Sequence, residues 1–77
     1  MMNDMNEKKE IAKFLFKERI TSHIDTKDND FFNGLIVELH KTFLVINDRM
    51  LGRTPISFSE INKIEKFRGG EYESNKN

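Results

Sequence analysis

The chain has no cysteine, no tryptophan and a single proline, and its 13 Lys and Arg balance 13 Asp and Glu across 77 residues. Without cysteine there is neither a disulfide framework nor a thiolate metal site. The two histidines, His23 and His40, are too isolated to suggest metal-ligand spacing. With no net charge, no overall field draws the chain to nucleic acid, and binding of that kind needs a local patch. Long apolar runs are also missing. The stretch around Leu35 to Val37 falls far short of the roughly 20 residues of a spanning helix, and the N-terminus lacks the basic, apolar and small-residue order of a secretion leader. The expectation is a soluble, cytoplasmic chain without membrane contact. A domain this small hides only about 60% of the surface its unfolded form exposes, so association between copies is the expected source of further stability.

What is present is a set of short apolar runs between turn-rich breaks. The segment Asp4-Met5-Asn6-Glu7 fits a helix capping box, and Ile11, Phe14 and Leu15 recur at helical spacing. These features predict an amphipathic helix over 4–17, lying across the open end of a barrel or, alternatively, docking on a membrane or a partner. From Arg19 to Thr26, Ile20, Ser22 and Ile24 alternate with Thr21, His23 and Asp25, the pattern of a half-buried strand with His23 toward solvent. Lys27-Asp28-Asn29-Asp30 supplies a turn. In the next strand Phe32, Gly34 and Ile36 share one face, while Phe31, Leu35, Val37 and Leu39 share the other. Gly34, lacking a Cβ, lets that strand curl. Strands at Phe43–Asn47, at Thr54–Phe58 and through Ile64 and Phe67 follow, with Gly52 suited to positive φ and Pro55 to an edge. The predicted fold is mainly β: one N-terminal helix and a five-stranded, strongly bent antiparallel open barrel over 19–67. Its core is Ile24, Phe32, Ile36, Leu44, Ile46, Ile56 and Ile64. The domain spans 1–70, and the polar tail 71–77 is expected to be disordered.

The helix, the hairpin into "FFNGLIVEL", then "TFLVIND", "LG", "PISF" and "SEINKIEKF" resemble the Sm-like proteins, including their archaeal and bacterial host-factor (Hfq) branches. The resemblance covers Lys8 to Phe67. It implies an SH3-like barrel assembled as a homo-hexamer or homo-heptamer, in which the fourth strand of one copy pairs with the fifth of its neighbour. It also implies single-stranded RNA binding by loops facing the pore. The chain departs from the pattern at the RNA site. His40 stands where the family has an Asp and Phe43 where it has an Asn, while Ser57-Phe58 replaces an Arg-Gly pair. Arg68-Gly69 falls too late to substitute. Phe58-Ser59 or nearby residues replace the bacterial Lys-His pair.

In such a ring the candidate RNA-binding residues are His40, Lys41, Thr42, Ser59, Glu60 and Asn62. His40 and Lys41 either form a collar for phosphates or bases, or make a solvated turn. Arg49 and Arg53, with Lys63, are a second candidate patch on the rim, with salt bridges to Asp48, Glu60 and Glu65 as the alternative. Ser57 and Ser59 lack the partners of a nucleophile, and Asp28 and Asp30 read as turn chemistry. No enzyme activity, cofactor or metal is expected. Two functions remain: an Sm-like ring that binds single-stranded RNA, and an SH3-like barrel that assembles with proteins or binds peptides without nucleic acid.

Overall fold

The computed structural model describes residues 4–68. It runs α1 (Asp4–Lys17), β1 (Ser22–Thr26), β2 (Phe31–Leu39), β3 (Phe43–Asp48), β4 (Gly52–Ser57), a single 3₁₀ turn (Phe58–Glu60) and β5 (Ile61–Lys66). All ladders are antiparallel, in the order β4-β3-β2-β1-β5. The fold is thus one helix and an open five-stranded sheet, consistent with an Sm-like arrangement. Among the described residues β4 and β5 do not pair with each other, so each leaves one edge free. Pro55 sits on the β4 edge, where its missing N–H disturbs no central ladder.

The helix occupies the predicted span, but its buried face differs from the expected stripe. Ala12 and Leu15 enter the core, whereas Ile11 is 39% and Phe14 58% exposed. The methyl of Ala12 permits the close approach to β2 and β5 that a larger side chain would block. At the C-terminal end Arg19 adopts φ 56°, Arg19 N–H donates to the Phe16 carbonyl at 3.3 Å, and Ile20 N–H donates to the Leu15 carbonyl at 3.0 Å. This is a Schellman cap with a non-glycine residue in the left-handed position. At Asp4 the backbone alone is described, so the capping role assigned to its side chain is left aside, and the tail 71–77 lies outside the described residues.

Six of the seven predicted core residues are buried, and the seventh, Phe32, packs against the cluster half-buried. Ala12, Leu15, Phe58 and Ile61 complete it. The first strand starts at Ser22 rather than Arg19, because the helix cap occupies residues through Ile20.

Two local features determine how β2 presents its side chains. An ideal Cβ on Gly34 would lie 1.9 Å from the Asn47 carbonyl oxygen of β3. Glycine is therefore required by a backbone approach, more directly than by curvature. Further along, the β2–β3 register shifts between Ile36 and Glu38, so that Ile36 faces Ile46, Glu38 faces Val45 and Leu39 faces Leu44. The bulge at Val37 reverses the alternation that follows it. Leu39, expected on the outer face, packs against the core instead, and Glu38 takes the outer face beside Val45.

Candidate functional site

The connection between β2 and β3 is closed by a His40 N–H bond to the Phe43 carbonyl at 2.9 Å, and the Phe58 N–H donates to the Thr42 carbonyl at 3.1 Å. The turn His40-Lys41-Thr42 therefore rests against the start of the 3₁₀ turn. The His40 imidazole stacks on Phe43, centroid to centroid 4.4 Å at 17°. Its Nε2 donates to Glu38 Oε1 at 2.7 Å. A carboxylate only accepts, so this contact puts the ring hydrogen on Nε2.

Beside this turn lies a shallow hollow of about 310 Å³ with Leu39 and Phe58 as its apolar floor. Lys9, Lys13, His40 and Lys41 stand around it with Glu10. The helix supplies two of those lysines one turn apart, and Lys9 Nζ lies 5.7 Å from the centre of the Phe58 ring, within cation–π range. Three ammonium groups against one carboxylate make this a local basic patch on a chain of zero net charge. Flexible ammonium groups around such a hollow can hold phosphate oxygens.

The structure brings His40 and Lys41 to this hollow and keeps Thr42 at its margin through the Phe58 contact. Ser59, Glu60 and Asn62 do not line it. The Ser59 hydroxyl pairs with that of Ser57 at 2.9 Å. The Glu60 carbonyl accepts the Lys27 N–H at 2.9 Å, fastening the 3₁₀ turn to the end of β1. Asn62 is exposed on the β5 edge strand.

Arg49 and Arg53 have separate partners. The Arg49 guanidinium lies 5.5 Å from the centre of the Phe67 ring, and Arg53 Nη2 bonds Glu38 Oε2. The salt bridge expected for Arg53 thus forms with Glu38 and not with Asp48, Glu60 or Glu65; Lys63 pairs with Glu65 at 3.5 Å. His23 does not simply face solvent. It is half-buried, with Nε2 on Asp25 Oδ1 at 2.9 Å and Nδ1 at 2.5 Å from the Asn33 side-chain oxygen.

Asp48 anchors the other end of β3. Its Oδ1 accepts from Asn33 N–H at 2.9 Å, and its Oδ2 accepts from Met50 and Leu51 N–H at 2.9 and 3.0 Å. Burial works against its charge, but these three donors and the Arg49 charge outweigh burial and hold the carboxyl below its ordinary value. The result is a fixed turn that presents Met50, 89% exposed, and Leu51, 68% exposed.

Sequence reasoning missed Lys9, Lys13 and Glu38 as site residues. The lysine spacing was visible, but only the helix packing places that face over the β2–β3 turn. Glu38 required knowledge of the bulge. No family model matches the chain, and the search of curated proteins also finds no match.

Proposed function

We propose that the chain is an Sm-like, ring-forming protein of the cytoplasm that binds single-stranded RNA, chiefly through its phosphates, and acts by binding rather than catalysis. The observation that carries this reading is the basic hollow, where Lys9, Lys13 and Lys41 gather next to the stacked His40–Phe43 pair. A neutral chain that concentrates cations beside an aromatic stack has the local patch that nucleic-acid binding requires. The free edges of β4 and β5 support self-assembly, because joining them between copies would remove the exposed ladder groups of both. A homo-hexamer or homo-heptamer would repeat the hollow around one axis and strengthen weak contacts by multivalency.

The test combines light scattering with anisotropy titrations of polyuridine and polyadenosine. The expected result is a multimer whose affinity falls with salt, with a log–log slope of about −0.7 per phosphate contact. Lys41→Glu should abolish binding at unchanged mass. If neither polymer binds at low salt, the RNA reading fails; a monomer mass removes the ring. The exposed Phe31, Met50 and Leu51 favour the second reading in that event, an SH3-like barrel that docks on proteins.

A further inference from the structure

Glu38 occupies an unusual place in the network. Each oxygen of its carboxylate takes one N–H donor, Oε1 from His40 Nε2 and Oε2 from Arg53 Nη2. Those donors come from the β2–β3 turn and from the edge strand β4. Between them lies Val45, paired with Glu38 on one side and Pro55 on the other, and buried outside the main core cluster. The arrangement depends on the bulge: an uninterrupted β2 would turn position 38 toward Leu44 and the core. Because of the extra residue, the carboxylate lies on the outer face.

We propose that His40 and Arg53 form a phosphate-binding site which Glu38 keeps closed by imitating the ligand. A phosphodiester also presents two free oxygens on one centre, and guanidinium geometry suits phosphate as well as carboxylate. The tether is displaceable. Arg53 is 60% and Glu38 38% exposed at their side chains, and exposed ion pairs of this kind contribute little to stability. His40 is shared with the basic hollow, so opening the tether would extend a line of N–H donors from Lys41 through His40 to Arg53. The internal acid therefore regulates how much of the surface an anion can use. Its biological purpose rests on the RNA reading above, but the anion site itself does not.

The experiment compares wild type with Glu38→Gln, using inorganic phosphate as one probe and polyuridine as the other. Phosphate is titrated while the His40 ring and Arg53 side-chain resonances are followed by NMR; polyuridine is titrated at several salt concentrations. Glu38→Gln should bind phosphate about 2- to 30-fold more tightly, the range that two exposed charge-assisted contacts allow. Its polyuridine salt slope should steepen by about 0.7 to 1.4, for one or two added phosphate contacts. Adding Arg53→Ala to Glu38→Gln should cancel the gain. A thermal melt of each variant establishes that it is folded, and replacing Arg53 by Lys in the Gln background should keep part of the gain. Equal phosphate affinity with and without Glu38 overturns the proposal, as does a gain that persists without Arg53. A phosphate gain without any polyuridine binding supports the closed anion site and removes the RNA reading instead.

Discussion

At one end of β3, the turn after Asp48 is fastened by a buried carboxylate that accepts three backbone N–H groups. At the other end, His40 and Lys41 depend on two backbone bonds and on exposed side-chain contacts with Glu38 and Phe43. The same strand thus ends in one turn with an internal anchor and another whose side-chain contacts are exposed to solvent. Conformational certainty is concentrated where apolar Met50 and Leu51 are displayed, and adaptable charge where the lysines gather. Binding surfaces drawn from a less firmly held region cost the scaffold little when they rearrange.

The strongest way to break this contrast is to disturb the strand pairing that both turns share. Gly34→Ala puts a Cβ into the Asn47 carbonyl, a backbone atom that cannot simply rotate away. The expected loss is about 1–3 kcal/mol or more, measured by urea denaturation. A loss below about 0.5 kcal/mol, in the ordinary range of surface substitutions, would show that the β2–β3 approach is looser than described.

Asp48→Ala should have the next largest effect, about 1–3 kcal/mol, by removing the acceptor from three donors. The Asp48 carboxyl is held below its ordinary value of 3.8, so its contribution is present above that value and is lost as the pH falls further, through the folded-state value. Wild-type stability should therefore decline on acidification below about pH 4 more steeply than that of Asp48→Ala. Amide exchange should accelerate at Met50 and Leu51 but not at Lys41 and Thr42. Equal acceleration at both turns would erase the contrast between them.

The smallest change sharpens the comparison from a distance. Arg19→Gly relieves the left-handed strain of the helix cap at the cost of a more flexible unfolded chain, and should stabilise the protein by about 0.5–1 kcal/mol. Phosphate and RNA affinity should remain unchanged, since Arg19 does not line the basic hollow. Destabilisation in the same melts would mean that the Arg19 side chain contributes more than its backbone costs.

Much of this fold was legible because short-range chemistry and burial pointed the same way. Asn29 takes φ 68° in the turn that Asp28-Asn29-Asp30 announces, and Gly52 takes φ 78° where the loop needs it. Alternation located Ile24, Ile36, Leu44, Ile46 and Ile56. It failed beyond Val37, because the bulge there exchanges the faces of Glu38 and Leu39, and Leu39 was placed on the wrong face. On α1 the stripe Ile11-Phe14-Leu15 competed with one through Ala12 and Leu15, and only the close approach to the sheet decided between them. For the site, the local pair His40-Lys41 could be read directly. Its neighbours on the helix and its partner Glu38 could not, because packing and a one-residue register shift bring them there.

The pairing of β1 with β5 joins the first strand to the last. During synthesis, the hairpin of β1 and β2 and the following strands can pair with neighbours already made, but the second edge of β1 must wait for the final strand to emerge. Ile24 pairs with Ile64 in that last ladder, so the core cannot close by local contacts alone. Such distant pairing raises the entropic barrier to folding. A nascent chain that stops within β5 would expose both an unfilled apolar row and an extra strand edge, making the interval before β5 is complete the one of greatest vulnerability to misassociation.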